Sequence, residues 1–301
     1  MSEPRATTFK LIAAFAAIYF IWGSTYLAIR YAIQTLPGFL MAAARFMLAG
    51  MILFAWTWRQ GSRPSGPHAW RGAFVTGFLL LLLGNGTVVM AVHWVPSGVT
   101  ALLLSTTALW VAILEWVLPG GKHPGGQVSA GILLGFLGIV MLIGVGDLRS
   151  GTLDILGVGT LALSSISWAA GSIYARNAHV SASPLMTSAM QMFFGGLLLF
   201  VAAILNGDLL LLTLDTVSVK SIAAFLYLTF FGSIVAFTAY SWLVKAASPS
   251  RAITSAYVNP VVAVLLGWGL ADEPLTYRMM VALLTILLGV AVVTTAKKPA
   301  I

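Results

Sequence analysis

Long apolar runs alternate along the chain with short breaks made of Pro, Gly and charged residues. Each run approaches the roughly 20 residues that an α-helix needs to cross the hydrocarbon core of a bilayer. The pattern therefore predicts an all-α integral membrane protein with ten transmembrane helices. The predicted spans lie near residues 10–29, 37–58, 70–92, 97–118, 127–146, 154–175, 184–205, 219–243, 249–271 and 277–296.

The composition excludes a water-soluble fold. Hydrophobic residues make up 59% of the 301 residues and charged residues only 8%, whereas a soluble domain carries about a quarter charged residues. Cys is absent, which removes disulfides, thiolate catalysis and Cys-based metal sites. The first run contains Trp22 and no small-residue cleavage site follows it, so we interpret it as a retained helix and not as a signal peptide.

The positive charges predict the orientation of the chain. If the N-terminus is cytoplasmic, eleven of the 16 Lys and Arg residues fall in cytoplasmic loops or termini, four fall outside and Arg45 lies within a span. The positive-inside rule favours this arrangement, with both termini in the cytoplasm. Topology therefore accounts for the net charge of +8, and no nucleic-acid partner is expected.

The two halves of the chain echo each other. Trp22 and Arg30 of the first predicted helix are matched by Trp168 and Arg176 of the sixth, both at an offset of 146 residues. Several such matches in order indicate a duplication. Because each half has an odd number of spans, the second half enters the membrane from the opposite side, as in alternating-access transporters whose substrate site lies near the bilayer midplane. The predicted repeats are 1–148 and 149–301.

Three segments carry a family resemblance: Trp22–Arg30 in the first helix, Asn259-Pro260 in the ninth, and Asp272–Thr276 before the tenth. With them the chain resembles the drug/metabolite transporter superfamily, in its EamA-type ten-helix branch, and most closely the YddG-type amino-acid exporters. The resemblance implies efflux of small metabolites through a central cavity without ATP hydrolysis. Thr107 stands where the second half has Pro260, which leaves open whether the fourth helix bends as the ninth does.

Polar and aromatic side chains inside the predicted spans are the candidates for the cavity wall. Polar groups are costly in a bilayer, although many of them only satisfy one another between helices, and that alternative stays open for each candidate. The candidate substrate-binding or cavity residues are Trp22, Ser24, Tyr26, Asn85, Met90, His93, Trp110, Ser164, Trp168, Gln191, Tyr240, Tyr257 and Asn259.

His93 lies near the outer end of the third predicted helix and is the one His predicted within a span. Its spacing from Gly86, Val89 and Met90 places all four on one helix face. A neutral His can hydrogen-bond a substrate, and its reference pKa near 6.5 suits a proton sensor. The alternatives are an interfacial hydrogen bond for His93 and ordinary packing for the stripe.

The tryptophans are the main aromatic candidates. Trp22 continues a stripe with Tyr19 and Tyr26 at i, i+3 and i+7, and Trp168 is its expected counterpart in the second half. Both lie inside their spans and not at the edges, where membrane Trp residues usually collect. Trp110 is similarly placed in the fourth helix, so each of the three is either a cavity wall or a packing residue.

The amides form a second set of candidates, of which Asn259 is the strongest. Pro260 follows it and cannot donate a backbone hydrogen bond, which frees a carbonyl near Ala256 for an amide, water or substrate. A kink or hinge at Pro260 is favoured over direct ligation by Asn259.

Two charges fall within predicted spans, Arg45 and Glu115, but their depths differ by roughly 15 Å at 1.5 Å per residue. A pair between them is therefore not expected, and Glu115 should reach the cytoplasmic side near Arg71 or Lys122. Arg45 is predicted to have a structural or gating role, with binding of a carboxylate as the alternative.

The chain contains no Walker A loop, no metal-ligand cluster and no His-Glu-x-x-His motif. No enzyme activity, metal or cofactor is therefore expected.

The sequence predicts a secondary transporter or facilitator of a bacterial inner membrane that exports small amphipathic metabolites, most readily amino acids with aromatic or bulky hydrophobic side chains. The alternatives are a multidrug or other metabolite exporter of the same fold, or a membrane scaffold or lipid-acting enzyme. The expected partners are a small-molecule substrate and membrane lipids; a monomer is expected, with an oligomer left open.

Overall fold

The computed structural model describes residues 8–119, 123–143, 155–178, 183–246 and 255–296. Long helices occupy the predicted apolar runs in these ranges, and short helical turns follow the seventh long helix. The long helices are α1 Thr8–Ala32, α2 Gly38–Arg59, α3 Pro67–Ala91, α4 Ser97–Val117, α5 Gly126–Ile143, α6 Ile155–Asn177, α7 Pro184–Leu205, α8 219–246, α9 Ser255–Ala271 and α10 Tyr277–Thr295.

The helices have the length and composition of membrane spans. Within the described ranges, eight are long and apolar enough to cross a bilayer. The fifth and ninth predicted spans correspond to shorter apolar helical stretches, Gly126–Leu142 and Val258–Ala271. The all-helical membrane class is confirmed, while the count of ten spans stays a prediction.

The helices of the two halves pack in matching pairs. Helix α2 packs along α7, and α5 packs along α10. The contacts that α1 makes with α8 and α9 are repeated by α6 with α3 and α4. The first helix of each half is thus packed against the third and fourth helices of the other half, which interlocks the halves.

Helices α3 and α8 share an irregularity. Each contains a π-helical segment, Gly77–Gly86 in α3 and Leu228–Val235 in α8. Within these segments Asn85 Nδ2 donates to Leu80 O at 3.2 Å, and Ser233 Oγ donates to Leu228 O at 3.1 Å. In both cases the acceptor lies five residues earlier, and the two pairs are related by the same offset of 148 residues. π-helical turns are rare and often mark functional sites.

The fourth helices of the two halves are irregular at corresponding positions. Helix α4 is interrupted at Thr106, and α9 contains Pro260. The hydroxyls of Ser105, Thr106 and Thr107 each donate to the carbonyl three residues earlier, at 2.6–2.7 Å. Such side-chain bonds compete with the helix ladder. Hydroxyls in α4 therefore accompany a break at the place where α9 has a proline.

Candidate functional site

The two tryptophans that mark the sequence repeat both lie against the π-helical segments of the other half. Trp22 Nε1 donates to Gly232 O of α8 at 3.3 Å. Trp168 of α6 lies against Gly84 of α3 so closely that a Cβ atom on Gly84 would come within 2.6 Å of the indole Nε1. Only a glycine permits that approach. The two contacts are equivalent, because each joins the first helix of one half to the third helix of the other half.

The serines of α6 bind the backbone of neighbouring helices. Ser164 Oγ donates to Gly84 O at 2.8 Å, and Ser167 Oγ donates to Leu79 O at 2.8 Å. Both serines are buried. The carbonyls belong to the π-helical part of α3, where the helix hydrogen-bond ladder is irregular. The Ser164 hydroxyl is therefore engaged with the protein, and its contact with a substrate stays a prediction.

Trp22 and Ser24 of α1 contact α8 at different residues. Ser24 Oγ and Tyr227 Oη are 2.6 Å apart. The Trp22 ring lies 5.3 Å from the ring of Tyr240 and 5.5 Å from that of Phe237, measured between centroids. Three predicted residues, Trp22, Ser24 and Tyr240, thus lie along the interface of α1 with α8. Tyr26, the next residue of the predicted stripe, packs against the apolar core.

Arg45 reaches the same π-helical segment from α2. It is 4% exposed, and its Nε donates to Ser233 Oγ at 2.9 Å. A Cβ atom on Gly232 would lie 3.2 Å from Arg45 Nη2. The guanidinium also lies 4.6 Å from the centroid of the Phe46 ring. Arg45 and Trp22 therefore contact the same residue, Gly232, from two different helices.

Among the described residues, two ion pairs connect the halves, each through the Arg at the end of a first helix. Arg30, at the end of α1, pairs with Glu273, which follows α9. Arg176, at the end of α6, pairs with Glu115 of α4 at 2.5 Å. The depth argument against an Arg45 to Glu115 pair is confirmed, because Glu115 has a different partner.

The expected partners of Glu115 require a correction. Arg176 binds it in place of Arg71, because α6 packs along α4 and brings its last turn to the end of that helix. Lys122, the other expected partner, lies outside the described residues.

Met90 and His93 lie apart from these contacts. Met90 is 37% exposed, and His93 is exposed with Nδ1 at 3.1 Å from Val89 O. Gly86 and Val89, predicted to share their face, are buried. The predicted face is therefore half buried and half exposed, and His93 lies beyond the end of α3 at Ala91.

The remaining candidates are spread over several helices. Trp110 packs edge-on against Phe136, with ring centroids 5.4 Å apart, and Gln191 is half-buried in α7. The Asn259 backbone lies against α1, and its side-chain Oδ1 is buried without a hydrogen-bond partner among the described residues. The side chain of Tyr257 lies outside what the structure describes.

Sequence reasoning missed the glycines and hydroxyls of the π-helical segments. Gly84-Asn85 and Gly232-Ser233 recur at an offset of 148 residues, close to the offset of 146 that relates Trp22 to Trp168. A search for small and polar residues at this offset would have pointed to them.

Comparison with known proteins supports a transport role. The model of the EamA-like transporter family matches residues 9–144 and 155–295. An uncharacterized inner membrane transporter, YedA of Escherichia coli strain K12, is 36% identical to this chain. The match covers 95% of this chain and 91% of the YedA chain. A probable amino-acid metabolite efflux pump of the same organism is 25% identical, with 89% of each chain covered. A solved crystal structure of a protein shares the fold, with a TM-score of 0.63 and 20% identity over 95% of this chain and 96% of the other.

Proposed function

Because this chain belongs to the EamA-like transporter family, within the drug/metabolite transporter superfamily, we propose that it exports small amphipathic metabolites, with aromatic or bulky hydrophobic amino acids as the leading class. That it is a membrane transporter follows from the family. The substrate class is supported chiefly by the residues packed along α8: the Trp22 indole with the Tyr240 phenol, the Ser24 and Tyr227 hydroxyls, and the buried Arg45 cation. Such a set of groups suits a zwitterion with an apolar side chain.

The proposed location is a bacterial inner membrane, with both termini in the cytoplasm. An inner membrane transporter is among the relatives, and the positive charges favour this orientation. The Arg30–Glu273 pair then lies at the periplasmic end and the Arg176–Glu115 pair at the cytoplasmic end. Each would hold its own end closed during alternating access.

Transport into and out of proteoliposomes tests the proposal. Vesicles containing the purified protein are loaded with radiolabelled phenylalanine, leucine or a cationic drug, and release is followed with and without a proton gradient. Faster release of the amino acids than from protein-free vesicles is expected. If only the drug leaves faster, the amino-acid assignment is wrong and the multidrug alternative replaces it.

A further inference from the structure

Arg45 is a buried cation without a carboxylate partner among the described residues. It lies in the middle of α2 and is 4% exposed. The buried carboxylates of the described residues are otherwise engaged: Glu273 in its ion pair with Arg30, and Asp208 with Leu40 N at 3.0 Å. A charged side chain is costly at membrane depth unless it is paired or serves the transport path.

Most of the hydrogen-bonding capacity of Arg45 is unused in the described part of the chain. A guanidinium carries five N–H donors, and here only Nε is bound, to Ser233 Oγ at 2.9 Å. Ser233 in turn donates to Leu228 O at 3.1 Å. These two bonds fix the orientation of one edge of the guanidinium. The opposite edge, formed by Nη1 and Nη2, is the one that binds carboxylates through two parallel hydrogen bonds.

Gly232 connects Arg45 to the aromatic rings around Trp22. Nη2 lies against Gly232, whose carbonyl accepts from Trp22 Nε1. The Trp22 ring is in turn flanked by Phe237 and Tyr240. The guanidinium and the Trp22 indole thus both contact Gly232. The charge, the small residue and the rings come from α2, α8 and α1, so the arrangement depends on both halves of the chain.

We propose that Arg45 is the carboxylate-binding residue of the transport site, and that its ligands are zwitterions or organic acids with a free carboxylate. This deepens the proposed function and rests on it. Ser233 is the positioning residue, because it holds the guanidinium through Nε. The corresponding position in the second half, at the offset of 147 that relates Pro37 to Pro184, is Met192, so the repeat supplies a single such cation.

A ligand series on the wild-type protein tests the carboxylate first. Binding of L-phenylalanine, 3-phenylpropionate and L-phenylalaninamide to the detergent-purified full chain is measured by calorimetry. Phenylalanine and phenylpropionate should bind, and the amide about 10- to 100-fold more weakly, because a hydrogen-bonded charge pair is lost. Equal binding of the amide and phenylalanine overturns the proposal while leaving amino-acid transport intact. Absence of phenylalanine binding and release alike overturns both.

Variants then test the residue. Arg45→Gln should weaken phenylalanine and phenylpropionate by about 10- to 100-fold and leave the weak binding of the amide unchanged. Arg59→Gln, on the same helix but exposed, is the matched control and should bind like the wild type. Ser233→Ala and Arg45→Lys keep the positive charge, and each should lose part of the affinity. If Arg45→Gln does not fold, these two variants decide, and unaltered phenylalanine binding in both overturns the proposal.

Discussion

Arg30 and Glu273 join the end of α1 to the loop between α9 and α10, and the same carboxylate also caps the start of α4. Glu273 accepts from Ser97 N at 2.7 Å, from Ser97 Oγ at 2.8 Å and from Gly98 N at 3.0 Å. The free N–H groups at a helix start favour a negative charge. Asp272, at φ 52°, turns the chain so that Glu273 points back to α4. One buried carboxylate thus connects three helices.

Loss of this carboxylate should destabilise the fold more than loss of its counterpart. Glu273→Gln removes the charge from a side chain that is 5% exposed, and a cost of about 1–3 kcal/mol is expected. Glu115→Gln removes a pair in which the side chains are 57% and 46% exposed, so the expected cost is below about 1 kcal/mol. Thermal unfolding of the purified variants measures both. Equal losses of stability would contradict the difference in burial.

The same two substitutions should open opposite ends of the transporter. The chain has no Cys, so Ser24→Cys gives a single labelling site beside Tyr227. In this background, Glu273→Gln should speed labelling by a membrane-impermeant maleimide from the periplasmic side. Glu115→Gln should speed it from the cytoplasmic side. Faster labelling from the same side in both variants would rule out a gating role for the pairs.

The tight contact at Gly84 should not tolerate a side chain. Gly84→Ala places a Cβ atom within 2.6 Å of Trp168 Nε1, and overpacking of this kind costs about 1–3 kcal/mol. Gly159→Ala in α6 is the matched control, since nothing lies within 4 Å of its Cβ position. Combining Gly84→Ala with Trp168→Phe should recover part of the stability, as a double-mutant cycle can show. Additive losses would mean that the indole is not the obstacle.

His93 and Trp168 should respond differently to truncation. His93 is exposed, and its Nδ1 lies at hydrogen-bond distance from Val89 O of α3. His93→Ala should therefore change phenylalanine release by no more than about twofold. Trp168→Ala removes the indole that packs against Gly84, which leaves a cavity, and should reduce phenylalanine release by about tenfold or more. Release assays on equal amounts of folded protein decide this. A large loss with His93→Ala would restore His93 to the transport path.

Much of the fold could be predicted because a bilayer leaves few choices for an apolar segment. The described helices lie within a few residues of the predicted spans, as α2 at Gly38–Arg59 and α7 at Pro184–Leu205 show. The equivalence of Trp22 and Trp168 can also be predicted from the sequence, because a duplication keeps residue spacing. The structure adds that each of them contacts the π-helical segment of the other half.

The partners of the polar residues could not be predicted. Periodicity places a residue on a helix face only as far as the helix continues, and α3 ends at Ala91, before His93. Hydrogen bonds between distant helices, such as Ser164 to Gly84 or Arg45 to Ser233, depend on packing that a single sequence does not encode locally. Glu273 belongs to the recognisable segment Asp272–Thr276, but its capping of α4 depends on the three-dimensional arrangement.

The crossed contacts of Trp22 with Gly232 and of Trp168 with Gly84 mean that neither half completes itself. In a five-helix half inserted alone, Trp22 would lack the carbonyl of Gly232, or Trp168 would lack its contact with Gly84. The carbonyls of the π-helical segment would face lipid. Synthesis of the first half therefore ends with an unfinished surface. Final assembly must wait until the eighth helix has been inserted beside the first.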